Sequence, residues 1–391
     1  MSAPNLSRRI RRVLGFVHLW MGIILTLPFV VLGITGSLLV YGHDIEHLFA
    51  DAPKLESGPM GTPGAIIAAA LAKAPQPGMS VRALRLPDEP GEPAIVRLGA
   101  GRPQPGQSPF AGTRAIPVDP VSLQVLENVA ASPQWLRMAH DIHGRFLVEG
   151  RLGREIVGWA GVAMFAMGLS GLVIWWPKAG LWRRALTVGK GAKGLRLHRE
   201  LHGAVGIWSL LIFLLVTFSG IYIAFPQTLG DGIRAIFPGR DPQAANQIKV
   251  TPVPGAQPLT IDQTMAQVGQ ALPGTRLRSV FMPVRPDQPM RLNLDRPGGA
   301  EGAPMIVVFF DPWKGQILET LDPRDFALGE TLTGWQRAIH YGLGLGPLYK
   351  FLVFLSGLII PLFSITGVAM WLLKRRNRRR TVLPEQPALA E

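Results

Sequence analysis

The chain contains no cysteine in its 391 residues. That excludes disulfides, thiolate-held iron–sulfur clusters, cysteine nucleophiles and covalent c-type haem attachment. Charge is also scarce. Only 17% of residues are charged, yet the formal net charge is +14 and the mean hydropathy is +0.24. Few charges with a strong basic excess describe a membrane protein with basic cytoplasmic loops. The sequence lacks a G-x-G-x-x-G at a strand-to-helix turn and leaves no room inside for a soluble nucleotide domain. The apolar spans carry no carboxylate, which argues against a transporter without redox chemistry. The first apolar run has no small-residue cleavage site and is too long for a signal peptide, so it reads as a retained span.

Four stretches reach the roughly 20 apolar residues that a bilayer crossing needs, at about 13–41, 156–176, 204–225 and 349–373. Basic residues flank them unevenly. Arg8, Arg9, Arg11 and Arg12 precede the first span, Lys178 to Arg199 separate the second and third, and Lys374 to Arg380 follow the fourth. All three basic segments fall on one side of a four-span chain, and that side is read as cytoplasmic. The predicted order is a first membrane helix (1–43), an outside segment (44–151), a second helix (152–177) and a basic cytoplasmic loop (178–203). A third helix (204–226), a second outside segment (227–348), a fourth helix (349–373) and a basic cytoplasmic tail (374–391) complete it. For a bacterial inner membrane the outside is the periplasm. Trp175, Trp176, Trp371 and Tyr41 at span ends read as interfacial anchors.

The outside segments carry soluble-domain signals in matching order. Thr62-Pro63 opens a helix-like run closed by Pro75, and Thr260-Ile261-Asp262 opens a similar run closed by Pro273. Alternating segments follow at Val81–Leu86 and Arg276–Phe281. Strand, Asp-Pro turn, strand is then expected at 118–126 and again at 310–318. Each segment therefore reads as its own small α+β domain, with a Pro/Gly-rich surface loop at 99–112. The correspondence extends to the spans. His18, Gly22 and Gly36 recur as His202, Gly206 and Gly220, and Ser170-Gly171 recurs as Thr366-Gly367. The chain is two copies of span, outside domain, span, related by a pseudo-twofold axis along the membrane normal.

The histidines carry the candidate chemistry. The repeat pairs His18 with His202 at the inner depth and His143 with His340 at the outer depth. Histidines set into apolar helices are expensive unless something holds them. Two ligands facing each other across a twofold axis suit bis-histidine b-type haem, giving two haems per chain. The [Ser/Thr]-Gly steps are places where a flat macrocycle approaches the backbone, or else simple helix packing. Two ligand choices stay open. His198 is four residues before His202 and either replaces it or contacts a propionate, and His140 competes with His143. His43 and His47 read as interfacial residues without a ligand role.

These features together resemble the PepSY-associated transmembrane proteins over nearly the whole chain. The residues that carry the likeness are Arg12 to Gly36 with His18, the outer helices and Asp-Pro turns, His143 before Gly153-Arg154, Leu197 to Gly206, and Ser170 to Lys178. The resemblance implies a membrane protein of four helices in two repeats, each with a periplasmic α+β PepSY-like domain. It further implies a di-haem reductase of periplasmic ferric siderophores such as ferrioxamine. Its electrons would come from quinol in the bilayer or from a cytoplasmic reductase, its other partner being membrane lipid and not nucleic acid. The alternatives are a haem b subunit feeding another periplasmic redox partner, a siderophore or iron transporter, and a binding module whose histidines are incidental.

Overall fold

A computed structural model describes residues 3–42, 44–45, 55–74, 76–101, 112–126, 133–241 and 244–382. His43, His47, Pro75 and most of the 99–112 loop lie outside the described residues. In chain order the main elements are α1 (Ala3–Ile24), α2 (Thr26–Val40), α3 (Pro63–Ala72), β1 (Ser80–Arg85), β2 (Ala94–Gly99) and β3 (Thr113–Val118). Then come α4 (Gln134–Arg145), α5 (Gly150–Trp175), α6 (Gly194–Ala224), α7 (Ile261–Ala271), β4 (Arg276–Phe281) and β5 (Met290–Asp295). The chain ends with β6 (Ile306–Asp311), β7 (Gln316–Leu321), α8 (Gln336–Tyr341) and α9 (Gly346–Val382). They form two compact units: Met1–Asp44 with Trp135–Leu229 and Gln336–Glu391, and Ile45–Gln134 with Gly230–Trp335.

The first unit is a helical membrane bundle. Helices α5, α6 and α9 are each long and apolar enough to cross a membrane, while α1 and α2 pass the same test together as a pair bent by 68°. The chain is thus a multi-pass membrane protein of three spans, or four with the bent pair counted as one. The unbroken first span expected from sequence is corrected here, and the cause is local. Pro28 has no N–H to give to the Ile24 carbonyl, and its ring crowds that carbonyl. The Thr26 hydroxyl bonds the Gly22 carbonyl as well, a contact that bends helices. The repeat places Leu210 and Ile212 at the matching positions of α6, which runs unbroken for 31 residues. Small residues let the helices cross closely. A Cβ on Gly33 of α2 would stand 2.6 Å from the Gly357 carbonyl of α9, and Ser37 Oγ donates to the Phe354 carbonyl at 2.7 Å.

The second unit corrects the expectation of two separate α+β domains. Both outside segments contribute to one seven-stranded sheet of order β3-β2-β1-β4-β5-β6-β7, antiparallel throughout. The join is β1 with β4, where Leu84 lies opposite Val280, Ala83 opposite Phe281 and Arg85 opposite Ser279. Leu84 and Val280 are each other's repeat equivalents, so a local twofold axis passes between them. The same symmetry appears in the bulges, which fall at Val81/Ala83 in β1 and at Leu277/Ser279 in β4. A three-stranded sheet with one helix leaves an apolar edge strand exposed, and pairing β1 with β4 removes that edge.

Helices α3 and α7 start at the two threonines named from sequence. Thr62 accepts from the Ala65 amide, and Thr260 forms a capping box with Gln263. They also tie the copies together. The Asp262 carboxylate on α7 accepts from the Gly64 amide and the Thr62 hydroxyl on α3, both at 2.9 Å. The Asp-Pro turns form as expected, with Asp119 accepting from the Val121 amide and Asp311 from the Trp313 amide. Ile66, Leu84, Val96, Val268, Val280 and Leu292 are fully buried in the single core of this unit. Strands β2 and β5 were missed in the sequence, because the pattern was followed only through the segments nearest the helices and turns.

Leu84 is wholly buried at the join. Leu84→Ala is expected to cost about 2–5 kcal/mol and to unfold segments 55–126 and 244–335 together. Hydrogen exchange by mass spectrometry would read this as simultaneous loss of protection in β2 and β5. Two independent domains would lose protection in β2 alone.

Candidate functional site

The four repeat-paired histidines come together in the membrane unit as two facing pairs. The ring centres of His18 and His202 are 6.4 Å apart with planes at 74°. Those of His143 and His340 are 6.0 Å apart with planes at 40°. His18 faces His202 and not His198, whose Nδ1 is buried without a hydrogen-bond partner. His140 is exposed on α4, one turn short of His143. His202 and His143 are thus the ones brought against a second histidine, and His198 and His140 are not.

Each imidazole is anchored through Nδ1 on a second helix of its own copy. Nδ1 of His18 lies 2.9 Å from Ser170 Oγ on α5, and Nδ1 of His202 lies 2.8 Å from Thr366 Oγ1 on α9. Nδ1 of His143 meets the Leu32 carbonyl at 3.1 Å and Thr35 Oγ1 at 3.2 Å on α2. Nδ1 of His340 meets the Val216 carbonyl at 3.0 Å and Ser219 Oγ at 3.3 Å on α6. These contacts repeat residue for residue, with Leu32 and Thr35 matching Val216 and Ser219.

The partners of Nδ1 bear on the tautomer. Ser170 donates to the Met167 carbonyl, Thr366 to Leu362, Thr35 to Val31 and Ser219 to Val216. A hydroxyl that has spent its proton on the helix can only accept from the imidazole. A backbone carbonyl can likewise only accept. His143 and His340, whose Nδ1 meets a carbonyl, therefore carry the proton there and leave the Nε2 lone pair free, and the hydroxyls beside His18 and His202 allow the same form. Among the described residues none of the four Nε2 atoms has a hydrogen-bond partner. Neutral imidazole with Nδ1–H held by an acceptor is the form that binds a metal through Nε2.

The glycines after these hydroxyls leave the space in which the imidazoles sit. A Cβ on Gly36 would stand 2.8 Å from His143 Cε1, and one on Gly220 would stand 2.9 Å from His340 Cε1. At the other pair the clearances are 3.4 Å from Gly171 to His18 Cε1 and 3.9 Å from Gly367 to His202 Cε1. Gly22 and Gly206, one turn past the histidines, face Met167 and Phe363, which the repeat also matches. The Phe363 ring lies 5.1 Å from His202.

Two imidazoles on opposite sides of one metal, each nitrogen about 2.0–2.1 Å from it, have ring centres about 6.3 Å apart. Both observed separations fit that distance. Among the described residues no group of three or more His, Asp or Glu side chains could hold a metal ion. The described residues thus offer a metal two histidines at each pair. Gly220 and His202 are eighteen residues apart on α6, about 27 Å at the helical rise. That separation along α6 is close to the roughly 30 Å thickness of a bilayer's hydrocarbon core.

The chain matches the family model of the PepSY-associated TM region over residues 16–374 and belongs to that family. No curated protein matches it.

The tautomer assignment is open to direct measurement. In protein labelled with 15N-histidine, four side chains should show the nitrogen shifts of the Nδ1–H tautomer. Gly220→Val should perturb the signal of His340 and leave those of His18 and His202 in place. Four Nε2–H rings would contradict the assignment.

Proposed function

We propose that this member of the PepSY-associated TM region family is a membrane-embedded electron carrier with two b-type haems. One is held between His18 and His202 and the other between His143 and His340. The observation that carries the reading is the two facing pairs of neutral imidazoles, each with Nδ1 anchored and Nε2 free. Two protein nitrogens per site is too few for a bare ion and is the number that haem leaves to its protein. Haem held there would supply a one-electron Fe(III)/Fe(II) couple.

The chain's own residues do the positioning. Ser170, Thr366, Thr35 and Ser219 fix the rotation of each ring and make Nε2 more basic. The glycines beside them let the ring press against the helix. The asymmetry of basic residues supports cytoplasmic termini and a cytoplasmic 178–203 loop in a bacterial inner membrane. In that orientation His18 and His202 lie near the cytoplasmic face, and His143 and His340 near the periplasmic face. The bundle then spans the apolar layer with an electron site at each side. Its donor is quinol or a cytoplasmic reductase.

The acceptor we propose is a ferric siderophore in the periplasm. One electron converts its Fe(III) to Fe(II). Hard oxygen donors hold the more highly charged ion far more tightly, so reduction releases the iron. This reading rests on the family resemblance and on the free Nε2 pairs together.

A pyridine haemochrome assay against protein mass should give two haems per chain. His202→Ala and His340→Ala should each give one, because a single remaining imidazole holds haem weakly. A wild-type ratio of one would leave one pair as structure only.

Electron exit separates the two pairs. Dithionite-reduced wild-type protein should be reoxidised by ferrioxamine, and His18→Ala should keep that reaction at its remaining haem. His143→Ala and His340→Ala should slow it at least tenfold. Outer variants that reoxidise as fast as wild type would contradict the assignment of the exit.

A further inference from the structure

The seven-stranded sheet has a second face that the core does not use. Met290, Leu292 and Leu294 of β5 are buried in the core with helices α3 and α7. The side chains between them, Arg291 and Asn293, therefore point to the other face. There Arg291 lies across from Phe281 on β4 and from Phe309 on β6. Its guanidinium carbon stands 5.3 Å from the centre of the Phe281 ring.

Arg291 differs from the arginines nearest it. Arg276 is paired with Asp295, Arg278 with Asp88 and Asp295, and Arg296 with Asp322. Among the described residues Arg291 has no acceptor, and its Nε is buried. Burial pushes the guanidinium down from its ordinary value. Two residues along the strand, the Asn293 amide spends Nδ2 on Ser279 Oγ at 2.9 Å and leaves Oδ1 buried without a donor. A partly desolvated cation beside a buried acceptor, neither with a partner among the described residues, is costly. They are complementary to a ligand that brings an oxyanion and a hydrogen-bond donor about 7 Å apart or less.

We propose that this face binds a small hydroxycarboxylate, its carboxylate taken by the Arg291 fork between Phe281 and Phe309 and its hydroxyl donating to Asn293 Oδ1. Arginine matches the two oxygens of a carboxylate. The two flanking rings exclude water from that contact and add a cation–π contribution. The inference stands on the sheet face alone and does not depend on haem.

The test uses the full chain in detergent without reductant, titrated calorimetrically with citrate and with tricarballylate, which is citrate without its hydroxyl. Wild type should bind citrate more tightly than tricarballylate. Arg291→Met should weaken citrate at least tenfold, and Arg291→Lys, which keeps the charge but not the fork, severalfold. Asn293→Ala should remove the preference for citrate over tricarballylate. Citrate should raise the thermal midpoint of wild type and not that of Arg291→Met. Without ligand the Arg291→Met midpoint should equal or exceed that of wild type, because an unpaired buried charge has gone. No citrate heat in wild type overturns the proposal. So does equal citrate affinity in Arg291→Met. A lowered Arg291→Met midpoint together with wild-type affinity in Arg291→Lys would make Arg291 a structural residue and also overturn it.

Discussion

An imidazole in an apolar helix bundle must place its N–H on an acceptor or lose a hydrogen bond it would make in water. Much of the membrane unit follows from that requirement. Helical carbonyls are already used within the helix, so acceptors come from hydroxyls and from carbonyls with a second lone pair to spare. Ser170, Thr366, Thr35 and Ser219 supply the hydroxyls, and Leu32 and Val216 supply the carbonyls. The adjoining glycines then become necessary, since the ring must come within reach of the helix backbone. Anchoring Nδ1 also decides which nitrogen remains for chemistry. The same bond that makes burial tolerable leaves Nε2 as the free donor atom.

The repeat works in the two units by different means. In the membrane unit each anchoring bond stays inside one copy, while each facing pair takes one histidine from each copy. A pair of like side chains arises from the symmetry without a second invention. In the sheet unit Leu84 sits opposite its own equivalent Val280, and Asp262 reaches into the N-terminus of α3. Apart, the copies would have three and four strands, each with an open apolar edge, so neither has reason to be stable without the other. The symmetry is imperfect where a single residue decides local geometry. Pro28 breaks the first span, and its counterpart Ile212 does not.

Much of this was legible in the sequence, and the limits have physical reasons. Period and spacing identified the histidine pairs, the threonine caps and the Asp-Pro turns, because each is a short local pattern. The partition of the sheet was not legible. Whether β1 closes against its own copy or against β4 depends on a contact almost two hundred residues away in sequence, which strand alternation does not encode. The glycines were read as room for a cofactor or as helix packing, because a missing Cβ does not say what fills the gap. That His18 lies against His202 and not His198 became visible only in the fold. The unpartnered Arg291 had no signal at all, since an arginine in a strand looks the same with or without an acceptor.

The claim on which the rest turns is that the free Nε2 atoms face each other across haem iron. Visible absorption of the detergent-purified full chain, before and after dithionite, tests it most directly. The account predicts a Soret band and, on reduction, sharp α and β bands of six-coordinate low-spin haem, all lost when His18, His202, His143 and His340 are replaced together. A protein that remains colourless after expression with added haem, or whose bands persist in that quadruple variant, would contradict it.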